Sequence, residues 1–508
     1  MLAGIRRLLE DADRVLTRPV RAPRLLAREP EPGMVTVELA HERRSTAPID
    51  RLSRRVDTAC RRAIDVHEIA ASLEAEGLND RIAQEHYSHP DVFSLAAEIR
   101  QRVPQRPAPP EPRRSTSTPR VPPAAALVMR GPLYLIPILF FFASRSIADH
   151  TQLAWIALPA VAFAWVWNQG SGVLVHRFIG RANLPAAHRL ARWSLASATA
   201  LIGVAAWLAG ALALDDPWLG WYAAGQTAYL VGSAALITLA HDRILALALA
   251  PGATVMITAI ASGSVPDRLV SAAAVFTVGA VVAAVLWVTQ DARTARLTAP
   301  SPWERSLAAT HALLGASWAA FIAAAGYAVA TASDVFTIVS IAAAPMVVTM
   351  GVAEWRLHRF RRDVRRALAG TAEPAAFAER SRAAFTSGLV VFGAAIAGAA
   401  TLAAVVAASF GLLDLGLAVL TVAFVLLGCA CYAGLALAAM ERADVALIVS
   451  VGALLATICM ITMARLRVVG GATADLTGAI VYLAGCLAAA GALVLLAHHY
   501  AAHTVNHR

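Results

Sequence analysis

Twelve apolar runs, each near the ~20 residues a helix needs to cross a hydrocarbon layer, occupy most of the chain between residues 127 and 497. They fall at 127–147, 151–174, 194–214, 219–240, 244–263, 267–290, 307–330, 333–355, 384–408, 411–438, 443–464 and 472–497. In hydrocarbon a backbone must satisfy its own polar groups, so runs of this length read as transmembrane helices and no soluble fold accommodates them. Pro132 and Pro137 interrupt the first run, and Pro251 lies near the start of the fifth. Proline is tolerated in such helices where neighbours re-satisfy the freed groups. Composition agrees: 58% of residues are apolar and 15% charged, against about 25% charged in soluble chains, and mean hydropathy is +0.59. The expected fold class is all-α, a polytopic membrane protein of about twelve helices.

Arginine placement gives an orientation. The formal net charge is +10, and every basic residue in the Lys+Arg total is Arg. With the N-terminus placed in the cytoplasm, seventeen arginines fall in the cytoplasmic connections between spans and four on the other side. That is the asymmetry of the positive-inside rule. It predicts an inner (plasma) membrane protein with both termini cytoplasmic. The basic charge is assigned to the membrane surface, and no nucleic-acid partner is expected.

Ahead of the spans the chain is polar. Residues 1–50 read as a basic tail, in which Leu8, Leu9, Val15 and Leu16 form one face of a short amphipathic helix. The first residues lack an apolar core long enough for a cleaved signal. Residues 51–101 carry helical periodicity, with Val56, Ala59, Ala63, Val66, Ile69 and Leu73 three or four apart. Gly77 ends that helix, Asn79 or Asp80 caps a second, and Asp91 caps a third over 92–103. This small helical cytoplasmic domain has a marginal core, and a cytoplasmic glycosyltransferase or regulatory protein is its expected partner. His67, His86 and His89 match no metal-ligand spacing and read as solvent-facing or capping. Residues 102–123, with eight prolines, read as a linker.

The spans divide into a first lobe, 124–290, a cytoplasmic connection, 291–306, and a second lobe, 307–500, followed by a tail, 501–508. His-Arg-Phe occurs at 176–178 and again at 358–360, each time at the end of a span leading into a basic amphipathic stretch. The offset of 182 residues matches two six-span halves, so a duplication is expected, with the halves related by an axis along the membrane normal.

Few polar groups lie within the spans. Asn168, Gln169 and Gln226 are candidates for the wall of a central cavity, and Asn168-Gln169 beside Gly170-Ser171-Gly172 suggests a softened helix there. His176, Arg177, Arg181, Glu354, Arg356, His358 and Arg359 are candidates for a cytoplasmic gate or for contacts with a substrate headgroup. His311 and Asp414 read as interfacial. Cys429, Cys431, Cys459 and Cys486 lie in spans and read as small packing residues; no metal site is expected. No phosphate-binding glycine loop and no nucleophile–base arrangement is visible, so neither ATP hydrolysis nor an enzyme is expected, and no cofactor.

The stretches GRANLPAAHRLARWSL (180–195) and GVAEWRLHRFRRDVRRAL (351–368) resemble matching parts of the multidrug/oligosaccharidyl-lipid/polysaccharide (MOP) exporter superfamily. The resemblance implies a flippase that exports polysaccharide or lipid-linked carbohydrate through an Arg-lined central cavity by alternating access. Membrane lipids and a lipid-linked glycan would be its partners. A second resemblance stays open: GVLVHRFIGR (172–181) is similar to a loop signature of major facilitator carriers, with His176 where that signature has an acid. A non-transporting scaffold for envelope polysaccharide assembly is the third reading.

Overall fold

The computed structural model describes parts of residues 49–102 and, from there on, 124–143, 150–181, 183–214, 216, 218–262, 264–294, 297, 299–330, 335–371, 373–467 and 472–503. The basic tail with Leu8, Leu9, Val15 and Leu16 and the proline-rich linker lie outside these residues. Two compact units result, one spanning Arg18–Val121 and one containing Pro122–Arg508.

The small unit contains α1 (Val66–Ala75), α2 (Asp80–Tyr87) and α3 (Val92–Arg102). Upstream of α1 the described residues Leu52, Ser53 and Cys60 are helical too, with Val56 N–H donating to the Leu52 carbonyl and Cys60 N–H to the Val56 carbonyl. Asp65 Oδ1 accepts the Glu68 N–H at 2.9 Å, the bond that marks a helix start. Val56 joins the core from upstream, together with Leu52 and Cys60. Asn79 caps α2 by accepting from Ile82 N–H, and Asp91 accepts from Ser94 N–H at 2.7 Å. His67 packs edge-on against Phe93, and His89 Nε2 lies 2.7 Å from Glu98.

The large unit is a bundle of long helices. It runs α4 (Ala124–Val128), α5 (Arg130–Ala143), α6 (His150–Gly180), α7 (Leu184–Ala209), α8 (Trp218–Thr238), α9 (Asp242–Ser262) and α10 (Asp267–Val288). It continues with α11 (Pro302–Ala328), α12 (Val335–Gly370), α13 (Pro374–Ser409), α14 (Leu415–Ala439), α15 (Ala443–Arg467) and α16 (Ala472–Tyr500). Helices α5 to α16 take the twelve expected spans in order. Among the described residues, nine are long and apolar enough to cross a membrane. No strand occurs among the described residues.

The helices pack as two equivalent sets. In the first lobe α6 packs on α7 and α8, α7 on α8, α8 on α10, α9 on α10, and α5 on α9. In the second lobe α12 packs on α13 and α14, α13 on α14, α14 on α16, α15 on α16, and α11 on α15. Advancing every label by six converts one set into the other. The lobes meet through α5 on α12 and α6 on α11, which the same operation exchanges, and the short α4 packs on α12 as well. His-Arg-Phe therefore occupies equivalent helices, α6 and α12. The repeated packing, rather than the three-residue identity, is what relates the halves.

Both pairs at this seam rest on glycine. A Cβ at Gly131 of α5 would overlap the Val348 carbonyl of α12, and one at Gly351 would overlap the Leu127 carbonyl. On the other pair, a Cβ at Gly315 of α11 would lie 2.8 Å from Gln169 Cγ, and one at Gly170 of α6 3.2 Å from the Ala308 carbonyl oxygen. Gly131 precedes Gly315 by 184 positions and Gly170 precedes Gly351 by 181, close to the 182 of the His-Arg-Phe repeat. Without a hydrophobic drive between helices in lipid, such close backbone approach is what holds them together.

Candidate functional site

At one end of the seam, the end carrying most arginines, two groups of charges cross from lobe to lobe. In the first, Arg130 at the start of α5 donates twice to Asp242 of α9, at 2.8 and 2.9 Å. It also donates to Glu354 of α12 at 2.7 Å. The other Glu354 oxygen accepts from the Tyr134 hydroxyl at 2.6 Å. Arg130 is only 6% exposed, and three acceptor bonds satisfy it. The Asp242 arm stays within the first lobe; the Glu354 arm bridges the two.

In the second group, Glu304 of α11 accepts from Arg177 at 3.4 Å and from Arg181 at 2.5 Å, both at the end of α6. Glu304 is 5% exposed and oriented by a capping box: Ser301 accepts from Glu304 N–H, and Glu304 accepts from Ser301 N–H at 2.8 Å. The Arg177 guanidinium lies 3.7 Å above the Trp303 ring. In both groups the cation belongs to the first lobe and the carboxylate that bridges the lobes to the second. At the opposite end, Arg465 bonds Asp475 at 3.0 Å within the second lobe.

The named candidates separate clearly. Arg177, Arg181 and Glu354 are at the seam. His176 and His358 are on the same helices and exposed. Arg359 pairs with Asp363 at 3.5 Å, one turn along α12. Arg356 is 3% exposed and donates to Ser387 of α13 at 2.8 Å, which takes it out of reach of any headgroup. Gln169 packs against Gly315 across the seam. Asn168 instead donates to the Leu230 carbonyl at 3.3 Å, inside its own lobe. There it lines a small crevice with Ser171, Gly172, Ser194 and Thr238. Gln226 is half-buried on α8. The softened helix expected at 168–172 is continuous α-helix. Asp414 caps α14 by accepting from Leu417 N–H at 2.6 Å.

Sequence reasoning missed Arg130, Tyr134, Asp242 and Glu304. A signal existed for two of them. Arg130 lies inside the first expected span, where a charge is costly unless it has a purpose. Ser301 and Glu304 have the spacing of a capping box. Among the described residues no group of three or more His, Cys, Asp or Glu could hold a metal ion.

No protein-family model matches the sequence, and no curated protein matches it. Solved structures do. A MATE point mutant superposes with a TM-score of 0.51 at 16% identity, covering 74% of this chain and 94% of that one. A MATE in the bent conformation gives 0.50 at 14%, covering 74% and 93%. An inward-facing multidrug resistance MATE family transporter of the MOP superfamily gives 0.48 at 15%, covering 74% and 93%. At such identities the likeness establishes architecture, and the large unit has the polytopic, all-helical fold of the MATE transporters.

Proposed function

We propose that the protein is a membrane transporter that works by alternating access and exports polysaccharide or lipid-linked carbohydrate without hydrolysing ATP itself. The observation that carries this reading is the seam: two six-helix lobes joined through equivalent helix pairs, with ion pairs across them at one end. Bonds of that kind form and break as units when two rigid bodies rock. In this reading the Arg-rich end is the cytoplasmic gate, closed here by Arg130–Glu354 and by Arg177 and Arg181 with Glu304. Gln169 and Gln226 are candidates for the wall exposed on opening. The MATE fold favours an exporter over a major facilitator carrier. A scaffold has no use for charges that bridge two lobes. The small helical unit is assigned to a cytoplasmic partner.

The test is deletion in the native host, with analysis of surface carbohydrate and of accumulated lipid-linked intermediates. Loss of surface polymer with a build-up of intermediates is expected, restored by the wild-type chain. No change in either would remove the carbohydrate reading.

A further inference from the structure

We infer that the end of α16 carries a binding site for a divalent transition-metal ion of the zinc, nickel or copper class, with the His499 and His503 imidazoles as its two protein ligands. The site goes beyond the transport reading and does not depend on it.

Spacing and backbone bring the two rings together. Residues four apart share one face of a helix, with Cβ atoms ~5–6 Å apart. His499 and His503 have that spacing. Helix α16 ends at Tyr500, and the backbone then tightens. The Ala502 N–H donates to the His499 carbonyl and the His503 N–H to the Tyr500 carbonyl, each at 3.2 Å. These are the three-residue bonds that close the last turn of a helix. The ring centroids of His499 and His503 lie 4.9 Å apart, with their planes at 66°.

That separation is the one a shared metal ion requires. A bound ion stands ~2.0 Å from an imidazole nitrogen, hence ~3.2 Å from the ring centre. Two rings held in this way, at the ~90–110° of a square or tetrahedral corner, have centres ~4.5–5.2 Å apart. The observed 4.9 Å falls inside this range. Closing the pair on an ion therefore takes rotation of the rings and no movement of the backbone.

Both residues are exposed, so an ion reaches them from water. The Tyr500 ring packs edge-on against His499 at 5.4 Å and limits its swing, which lowers the entropy lost on binding. The Arg442 guanidinium lies 4.2 Å from the Tyr500 ring centre. Asp444 pairs with Arg442 at 3.5 Å and offsets its repulsion of an incoming cation. Among the described residues no third His, Cys, Asp or Glu completes a group of metal ligands. Water fills the remaining positions, and the site stays open. Imidazole suits zinc, nickel and copper, whereas magnesium and calcium take oxygen ligands.

The experiment titrates the full chain, in nanodiscs of neutral lipid at about pH 7.5, with Zn²⁺ alone and reads binding by calorimetry. Wild type is expected to bind one more Zn²⁺ than the double variant His499→Gln, His503→Gln. Each single variant should weaken that event by about tenfold or more. His498→Gln removes an exposed imidazole that stands one residue off this face, and should stay within about twofold of wild type. Mg²⁺ should not distinguish wild type from the double variant. His507 lies outside the described residues and is kept in every variant. The exchanged side chains are exposed, so thermal unfolding without metal should be unaltered and every variant remains a folded comparison. Equal Zn²⁺ binding by wild type and the double variant overturns the site, as does an equal loss in His498→Gln. A loss in one single variant and not the other would reveal a lone imidazole and overturn the pair as well.

Discussion

In the second lobe, rings fill the space around α14. Tyr432 stacks between Phe385 and Phe392, at 6.2 and 5.5 Å, and Phe424 leans on Tyr482 at 6.1 Å. The equivalent interior of the first lobe is filled mainly by Leu195, Val231, Leu236, Leu245, Leu249, Val281 and Val285, with Tyr229 among them and Phe163 tilted against Trp167 at 5.5 Å beside them. Beside these it has the polar crevice of Asn168, Ser171, Ser194 and Thr238. One helix arrangement is thus packed in two ways. Interlocked rings lose many contacts at once when a helix slides, whereas small aliphatic side chains lose few. More rings interlock in the second lobe than in the first, so the second is expected to resist deformation more.

That contrast is open to measurement, and the largest expected effect is on stability. Phe392→Ala should destabilise the purified protein by about 3–5 kcal/mol, and Leu245→Ala in the first lobe by about 2–5 kcal/mol, toward the low end. Thermal unfolding of both in one detergent checks the order. Equal shifts would erase the distinction between the lobes.

The next effect falls on the seam. Glu354→Gln keeps the shape but removes the charge that links the lobes, while Arg130 keeps its two bonds to Asp242. Loss of this charge-assisted bond should weaken closure of the Arg-rich end by about 1.5–3 kcal/mol. Spin labels on the ends of α5 and α12 should then report a larger open population. An unchanged distance distribution would show that the glycine packing alone holds the seam.

Gly315→Leu places a side chain where Gln169 now lies and should disfavour closure by about 1–3 kcal/mol. Gly398→Leu on α13, where a Cβ meets nothing within 4 Å, is the matched control and should leave closure unaltered. The same spin-label distances distinguish the two. The smallest effect belongs to Asn168→Ala, which removes one bond to the Leu230 carbonyl and should cost about 0.5–1.5 kcal/mol of stability. It should leave the seam distances as they are, because the bond lies inside one lobe.

Much of this architecture was legible in the linear chain because a membrane imposes one length on every span. The boundaries were less so. Helix α12 runs to Gly370, well beyond the expected end at 355, and α13 begins at Pro374 rather than 384. These ends are amphipathic and rich in Arg, so a search for apolar runs stops short of them. The candidate site was half visible. Arg177, Arg181 and Glu354 were identifiable as charges at span ends, but their partners were not. Arg130 meets Asp242 across 112 positions and Glu354 across 224, and no local periodicity encodes such a pairing. Arg356 shows the converse: within a basic run it looks like its neighbours, yet its place on the helix turns it inward to Ser387.

The polarity of the seam has a consequence for ancestry. Two copies of the first lobe alone would confront Arg130, Arg177 and Arg181 with helices lacking Glu304 and Glu354, and two copies of the second would leave Glu354 without Arg130. Each half is therefore a poor mate for itself and a good one for the other. A gene divided between α10 and α11 should yield two polypeptides that assemble only as a heterodimer, so the halves, however alike in their packing, have ceased to be interchangeable.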